Sequence, residues 1–209
     1  MITLKNVKKK FDNHEIIYSD YILEDGKSYI ILGASGSGKS TLLNMIAGVT
    51  FASDGEIMID NVNIVAETQK VRDDIRTHKI GYIYQDFKLI EDMSVEDNIR
   101  VLEICGIKSK NLFSIAEELE IADKMKRRVK TLSGGEKQRV AIARVLVKEP
   151  DIILADEPTG SLHYEISDVI IKKLIEITNG KTLIVVSHDT RLVQYFDTVI
   201  ELNRGRNNV

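Results

Sequence analysis

The sequence is short of cysteine and lacks both a long apolar run and a signal-peptide pattern. Its one cysteine, Cys105, cannot form a disulfide within the chain, which fits a reducing compartment, and we expect it to be a buried structural thiol. No apolar run approaches the roughly 20 residues that a transmembrane helix needs, and the first residues lack a signal peptide's apolar core. If the protein serves a membrane, we expect it to do so as a cytoplasmic subunit of a larger assembly.

Excess charge and linker-like sequence are also missing. The net charge is only −3 over 209 residues, so no overall field attracts nucleic acid or an anionic membrane. Hydrophobic residues make up 43% and charged residues 29%, as in an ordinary globular protein. The sequence has no internal repeat, low-complexity tract or stretch rich in proline, glycine and serine. Its length and composition predict one α/β domain, or a core with a small insert.

The chain is organised around the glycine-rich segment GASGSGKST at residues 33–41. It fits the phosphate-binding pattern G-x-x-x-x-G-K-S/T, and it lies between an apolar strand-like run and a leucine-rich helical run, as that motif requires. Glycines let backbone N–H groups converge on a phosphate, which a flexible linker here would not explain. Lys39 can reach the β- and γ-phosphates, and the Ser40 hydroxyl can ligate Mg²⁺. The candidate nucleotide-binding residues of this segment are Gly33, Ser35, Gly36, Ser37, Gly38, Lys39, Ser40 and Thr41.

Strand-like and helix-like stretches alternate along the chain, which indicates a mostly parallel sheet. The early strands are expected to add an antiparallel patch. Residues 126–130 contain a basic cluster, for which a solvated face is a better interpretation than a site for an acidic partner. We expect strands at residues 2–8, 14–20, 28–32, 55–61, 80–85, 151–155, 182–186 and 198–202. Helices are expected at residues 42–47, 68–77, 95–102, 114–121, 133–148 and 166–177, with a short helix before the last strand.

Polar residues follow three of the apolar strands: Gln85, the pair Asp156 and Glu157, and His188. Ligands of open α/β sheets bind beyond the carboxyl ends of the strands, so these side chains should meet the glycine-rich segment at one nucleotide. Asp156 is placed to hold Mg²⁺. Glu157 can accept a proton from an attacking water, a role that contributes about 10²–10⁴-fold in rate. His188 is expected to contact the γ-phosphate.

The segment LSGGE at residues 132–136 looks like a second anion site. It combines a serine hydroxyl, two glycines and the N-terminus of a long helix. One nucleotide already has its phosphate-binding segment in the same chain. We therefore expect Ser133, Gly134 and Gly135 to face a nucleotide that another subunit holds.

These motifs make the sequence similar, over essentially its whole length, to the ATP-binding subunit of an ABC transporter. Walker A corresponds to residues 33–41, the signature to residues 132–136 and Walker B to residues 152–156. Phe11, for which core packing is an equally good interpretation, matches the aromatic residue that stacks on adenine, a contact worth roughly 1–3 kcal/mol. The resemblance gives catalytic roles to Gln85, Glu157 and His188, and metal-ligand roles to Ser40, Gln85 and Asp156.

The family resemblance implies a P-loop NTPase (RecA-like) α/β core with an antiparallel β subdomain and a helical subdomain. Residues 1–209 would form one ATPase domain, with the core at about 1–85 and 146–209 and the helical subdomain at about 86–145. Two copies would form an ATP-dependent, head-to-tail homodimer on two ATP molecules with Mg²⁺. Hydrolysis would drive an integral-membrane permease from the cytoplasmic face of the membrane, with no nucleic-acid partner.

The segment ADEPTGSL at residues 155–162 resembles the lipoprotein-release, macrolide-efflux and antimicrobial-peptide-resistance branch of the family. Two residues depart from the family pattern. Glu136 replaces a glutamine of the signature, and His163 stands where the D-loop has aspartate, which puts communication between the two sites in doubt. The alternatives are ATPases of DNA maintenance, which carry long coiled-coil or zinc insertions, and translation ATPases with two heads in one chain. This sequence has one head and no such insertion.

Overall fold

A computed structural model describes residues 1–202 as two β-sheets surrounded by helices. The strands are β1 (Ile2–Phe11), β2 (His14–Ile17), β3 (Tyr21–Leu23), β4 (Ser28–Leu32), β5 (Asp54–Ile59), β6 (Val62–Asn63), β7 (Ile80–Ile83), β8 (Ile152–Asp156), β9 (Thr182–Ser187) and β10 (Thr198–Glu201). The α-helices are α1 (Lys39–Ile46), α2 (Gln69–His78), α3 (Val95–Arg100), α4 (Leu112–Glu118), α5 (Gly134–Leu146) and α6 (Tyr164–Ile177). The short helix expected before the last strand is a 3₁₀ helix at Thr190–Tyr195.

The first sheet is the expected antiparallel patch. Its strand order is β2-β1-β5-β6, and β3 pairs with the start of β1. β1 is longer than predicted because it pairs with β3 through residues 2–4 and with β2 through residues 8–11. Phe11 therefore ends a strand, directly opposite His14 across the turn.

The second sheet is entirely parallel, with the strand order β10-β4-β9-β8-β7. Its central strands are continuous apolar runs because helices cover both faces. In-register pairing aligns the ends of the neighbouring strands, with Leu32 opposite Ser187 and Asp156 opposite Val186. Residues that follow these strand ends consequently lie at one edge of the sheet.

Of the helices between β7 and β8, α5 packs on β7, and α3 and α4 pack on α5. Buried side chains of α3, α4 and α5 share one apolar cluster with strand residues such as Ile83, Ile153 and Val185. Ser94 caps α3 as the sequence predicts, because its hydroxyl accepts a hydrogen bond from the backbone N–H of Asp97. Between residues 1 and 202, no helix combines the length and apolar character needed to cross a bilayer.

Cys105 is exposed, so the expectation of a buried thiol is wrong. It ends a 3₁₀ turn, Val101–Cys105, in which no residue is buried. Gly106 then reverses the chain with φ 80°, leaving the neighbouring Ile104 82% exposed. The tight turn leaves this segment on the surface, so the apolar character of its residues does not bring burial.

The basic cluster at residues 126–130 lies on an exposed face. Lys126 pairs with Glu96 at 2.6 Å and Lys130 pairs with Asp92 at 2.6 Å. The guanidinium of Arg127 donates to the backbone carbonyl of Thr131. These contacts favour the solvated-face interpretation over a site for an acidic partner.

Candidate nucleotide-binding site

The glycine-rich segment joins β4 to α1 in a conformation that requires glycine at its end. Gly38 precedes α1 with φ 95°, in the left-handed region. A Cβ there would also lie 2.7 Å from the hydroxyl of Tyr18 and 2.9 Å from Cδ1 of Ile16. The same tyrosine hydroxyl donates to the carbonyl of Gly38 at 3.0 Å. Tyr18, which directly follows β2, thus holds the segment in place, a role that the sequence pattern does not reveal.

Lys39 lies inside the segment, with only 6% of the residue exposed. Its ammonium donates to the carbonyls of Gly33 at 2.7 Å and Ala34 at 3.1 Å, and it lies 4.0 Å from Oε1 of Glu157. A buried cation is stable only when such polar atoms surround it. Lys39 is therefore held in place between the loop backbone and Glu157, the residue that follows β8.

Asp156 lies at the end of β8 behind Ser40. The Ser40 hydroxyl donates to Oδ1 of Asp156 at 2.8 Å, and the Tyr82 hydroxyl lies 3.4 Å from Oδ2. Burial raises the pKa of the Asp156 carboxyl above its ordinary value, while the hydrogen bond from Ser40 acts in the opposite direction. Tyr82, on β7, is a contact that only the strand pairing reveals.

Glu157 and His188 form a contact pair across the ends of β8 and β9. Nδ1 of the histidine lies 3.0 Å from both carboxylate oxygens, and the Ser187 hydroxyl donates to Oε2 at 3.4 Å. The Glu157 side chain is 13% exposed, whereas that of His188 is 66% exposed. Glu157 has φ 45°, an uncommon backbone for a residue other than glycine, and such strain concentrates at functional sites.

Lys39, Ser40, Glu157 and His188 line a cavity of about 610 Å³, whereas Asp156 lines a second cavity that shares Gln85 with the first. Gln85, Glu157 and His188 lie on the wall of the first cavity together with Phe11. Two residues of the glycine-rich segment face away from it: Ser37 is buried, and Gly33 lies so close to Ser37 that a Cβ would be 2.5 Å from its hydroxyl. The lining residues are Phe11, His14, Ile16, Ser35, Gly36, Gly38, Lys39, Ser40, Thr41, Gln85, Glu157 and His188.

Phe11 does not pack in the core, because it is 40% exposed. Its ring stacks on the imidazole of His14, with centroids 4.6 Å apart and an interplanar angle of 11°. The hairpin register places the two residues opposite each other. Sequence reasoning missed His14, although its position three residues after Phe11, across a predicted turn, is a usable signal.

Ser133, Gly134 and Gly135 do not line this cavity. Ser133 caps α5 in a reciprocal capping box with Glu136, and both Ser133 and Gly134 are exposed. A Cβ on Gly134 would lie 3.2 Å from Leu162, so the start of α5 packs beside the segment that leads into α6. His163 is the exposed N-cap of α6, and its side chain makes no capping hydrogen bond.

Known proteins are similar to this chain in sequence and in fold. The ABC transporter family model matches residues 19–160. The lipoprotein-releasing system ATP-binding protein LolD of Porphyromonas gingivalis is 32% identical, covering 98% of this chain and 97% of that protein. The macrolide export ATP-binding/permease protein MacB of Campylobacter jejuni is 33% identical over 98% of this chain, which corresponds to 33% of MacB.

Solved structures of MJ0796, from Methanocaldococcus jannaschii, superpose on nearly the whole chain. Its dimeric ABC transporter cassette has a TM-score of 0.84 and 34% identity, with 98% of this chain and 95% of that chain covered. A post-hydrolysis dimer of the same protein, bound to ADP and Pi, has a TM-score of 0.84 and 33% identity.

The family match also decides between the alternatives raised by the sequence. It supports the transporter ATPase and gives no support to the ATPases of DNA maintenance or translation. The P-loop NTPase fold predicted from the sequence is confirmed by the two sheets and by the superposition on ABC cassettes. The chain belongs to the ABC transporter family, as one of its ATP-binding and ATP-hydrolysing cassettes.

Proposed function

We propose that two copies of this chain enclose two ATP molecules, each bound by the cavity of one copy and by Ser133, Gly134 and Gly135 of the other. The observation that carries this proposal is the separation of two exposed sites on one chain. The cavity contains the phosphate-binding segment, and the exposed α5 N-terminus offers further donors that this cavity does not use. A head-to-tail pair would bring the two together, and the dimers of MJ0796 support such a pairing.

Within each cavity, Lys39 and the backbone of residues 33–41 bind the phosphates. Glu157 acts as the general base toward water, since its carboxylate faces the cavity 4.0 Å from the Lys39 ammonium. His188 holds that carboxylate through Nδ1, and the exposed part of its ring reaches toward the γ-phosphate. Phe11, whose ring stacks on His14, supplies the surface on which the adenine base stacks.

The residues around Ser40 fit a magnesium ion. The Ser40 hydroxyl and an Asp156 carboxylate oxygen lie 2.8 Å apart, and the amide of Gln85 lines the same cavity. Mg²⁺ prefers hard oxygen ligands of this kind. Because burial disfavours the ionised form of Asp156, a cation beside it would compensate the carboxylate charge. When bound, the ion would neutralise negative charge on the phosphates.

We also propose that the cassette drives a separate membrane permease and is attached to the membrane through it. The names of LolD and MacB support the lipoprotein-release and macrolide-efflux branch. Residues 86–145 would move as the helical subdomain that transmits cassette closure, with the remainder as the ATPase core. Nothing in the net charge of −3 favours a nucleic-acid partner.

The variant Glu157→Gln tests both the base and the ATP-dependent dimer. It keeps the shape of the side chain but removes the proton acceptor, so phosphate release should fall about 10²–10⁴-fold. Unhydrolysed ATP should then hold the two copies together. Size-exclusion chromatography with light scattering in saturating Mg-ATP should show a dimer, and the protein without nucleotide should be largely monomeric.

Glu118→Gln, on the exposed surface of α4, is the matched control and should behave like wild type. Hydrolysis by Glu157→Gln at the wild-type rate would exclude Glu157 as the general base. A monomeric Glu157→Gln protein at saturating ATP and high protein concentration would contradict the proposed pairing.

A further inference from the structure

The loop that follows Gln85 has a backbone that needs external support. Phe87 has φ 58° and Lys88 has φ 48°, so two adjacent residues other than glycine lie in the left-handed region. Such residues are strained, and the conformation persists only when surrounding contacts impose it. A short local contact, from the N–H of Lys88 to the carbonyl of Asp86 at 2.6 Å, closes the turn.

Arg144, on α5, holds this turn from outside. Its Nη1 donates to the carbonyl of Lys88 at 2.5 Å and its Nη2 donates to the carbonyl of Phe87 at 2.7 Å. One planar guanidinium thus fixes the carbonyls of both left-handed residues. Burial lowers the pKa of Arg144, because it disfavours the charged guanidinium. The contact with the loop backbone therefore keeps a charge in a buried position despite this desolvation cost.

The helix and the loop that Arg144 joins are each held by other contacts. Val145, the next residue of α5, packs so closely on β7 that a Cβ on Gly81 would lie 2.3 Å from its Cγ1. Downstream, the side chain of buried Asn98 pairs with both the N–H of Ile90 at 2.8 Å and its carbonyl at 2.9 Å. The loop between β7 and α3 is therefore fixed to helices at two points, while Gln85 itself lines the ATP cavity.

We propose that Arg144 is a positioning residue for Gln85. It holds the loop in the conformation that places Gln85 in the cavity. It also connects that glutamine to the helix whose N-terminus, at Ser133, faces the partner copy. As one rigid element, α5 would then connect the partner copy, at its N-terminus, with the catalytic site, which it contacts through Arg144 and the loop. This inference rests on the role proposed above for Gln85.

Arg144→Lys tests the proposal, since a lysine ammonium keeps the charge but lacks the rigid, planar fork that fixes the two carbonyls in one geometry. Misplacing Gln85 should lower kcat about 10- to 100-fold and leave the Kd for ATP, measured by calorimetry without hydrolysis, within about twofold because Lys39 and Phe11 are untouched. Amide hydrogen exchange over residues 84–90 should accelerate. Arg139→Lys on the same helix is the matched control, because Arg139 also donates to a backbone carbonyl, that of Leu119, and should leave kcat unchanged.

A double-mutant cycle separates positioning from general destabilisation. In a Gln85→Ala background, Arg144→Lys should cause no further loss of kcat, because the residue through which it acts is gone. Additive losses, or an unchanged kcat in Arg144→Lys, would overturn the inference alone. Normal hydrolysis by Gln85→Ala would overturn both the inference and the proposed role of Gln85. If the lysine variant is not recovered folded, the neutral Arg144→Gln, which buries no charge, replaces it with the same expected outcomes.

Discussion

At the scale of single residues, the proposed site assigns adenine stacking and phosphate binding to different side chains, so the two roles can be tested separately. Phe11→Ala removes a ring that stands 40% exposed at the cavity. The Kd for ATP should rise about 5- to 150-fold, equivalent to roughly 1–3 kcal/mol of stacking. The kcat should change little, since stacking is equal in the ground and transition states.

Steady-state hydrolysis and calorimetric ATP binding measure the two parts of this prediction. Phe113→Ala, which removes an exposed ring on α4 that does not line the cavity, should leave both constants at their wild-type values. A fall in kcat with an unchanged Kd would place Phe11 in the catalytic step instead.

At the scale of elements, the packing of α5 on β7 depends on one missing side chain. Gly81→Ala would place a Cβ 2.3 Å from Cγ1 of Val145 and 2.9 Å from Cγ of Pro150. The overpacking should lower the free energy of unfolding by about 1–3 kcal/mol. Urea unfolding of the purified variant measures this loss.

Val145→Ala supplies the matching test, because it removes the methyl group that collides. The double variant should be less destabilised than the sum of the two single variants. Gly81→Ala combined with Val169→Ala, which truncates an exposed residue of α6, should be additive. Additivity in the Val145 pair would mean that the helix moves freely away from the strand.

Elements with a strong local signal could be predicted from the sequence, and the contacts between elements could not. The buried parallel strands read directly as apolar runs, and Ser94 and Ser133 mark helix starts because their hydroxyls cap them. Tyr18, just after β2, and Tyr82, on β7, in contrast, contact site residues far from them in sequence, so only the folded structure identifies them. Cys105 shows a further limit, because the sequence pattern does not reveal that its 3₁₀ turn lies on the surface.

At the scale of the whole molecule, a composite site predicts complementation between two inactive chains. Lys39→Ala and Ser133→Ala should each abolish most hydrolysis as a pure protein. In a mixed head-to-tail pair, one site receives both changes and the other receives neither. Mixing equal amounts should therefore release phosphate faster than the sum of the separate proteins. No gain on mixing, at concentrations where wild type dimerises, would argue that each site is complete within one chain.

His163, the exposed residue at the start of α6, is expected to influence coupling between the two sites rather than ATP affinity. An imidazole can donate and accept a hydrogen bond but has no fixed negative charge, unlike the aspartate of the family pattern. His163→Asp should raise the rate or cooperativity of ATP hydrolysis in the complex with the permease. Hydrolysis against ATP concentration at pH 6 and pH 8 gives the Hill coefficients. If the curves of the wild type and of His163→Asp superimpose at both pH values, His163 has no role in coupling.

The surface position of Cys105 makes the natural chain suitable for fluorescence work. It is the sequence's only cysteine, and its exposed thiol can react with a maleimide dye without any background labelling to remove. The dye would sit on the turn between α3 and α4, away from the residues that line the ATP cavity. Donor- and acceptor-labelled copies would then report closure and reopening of the pair by energy transfer, in real time and on the wild-type sequence.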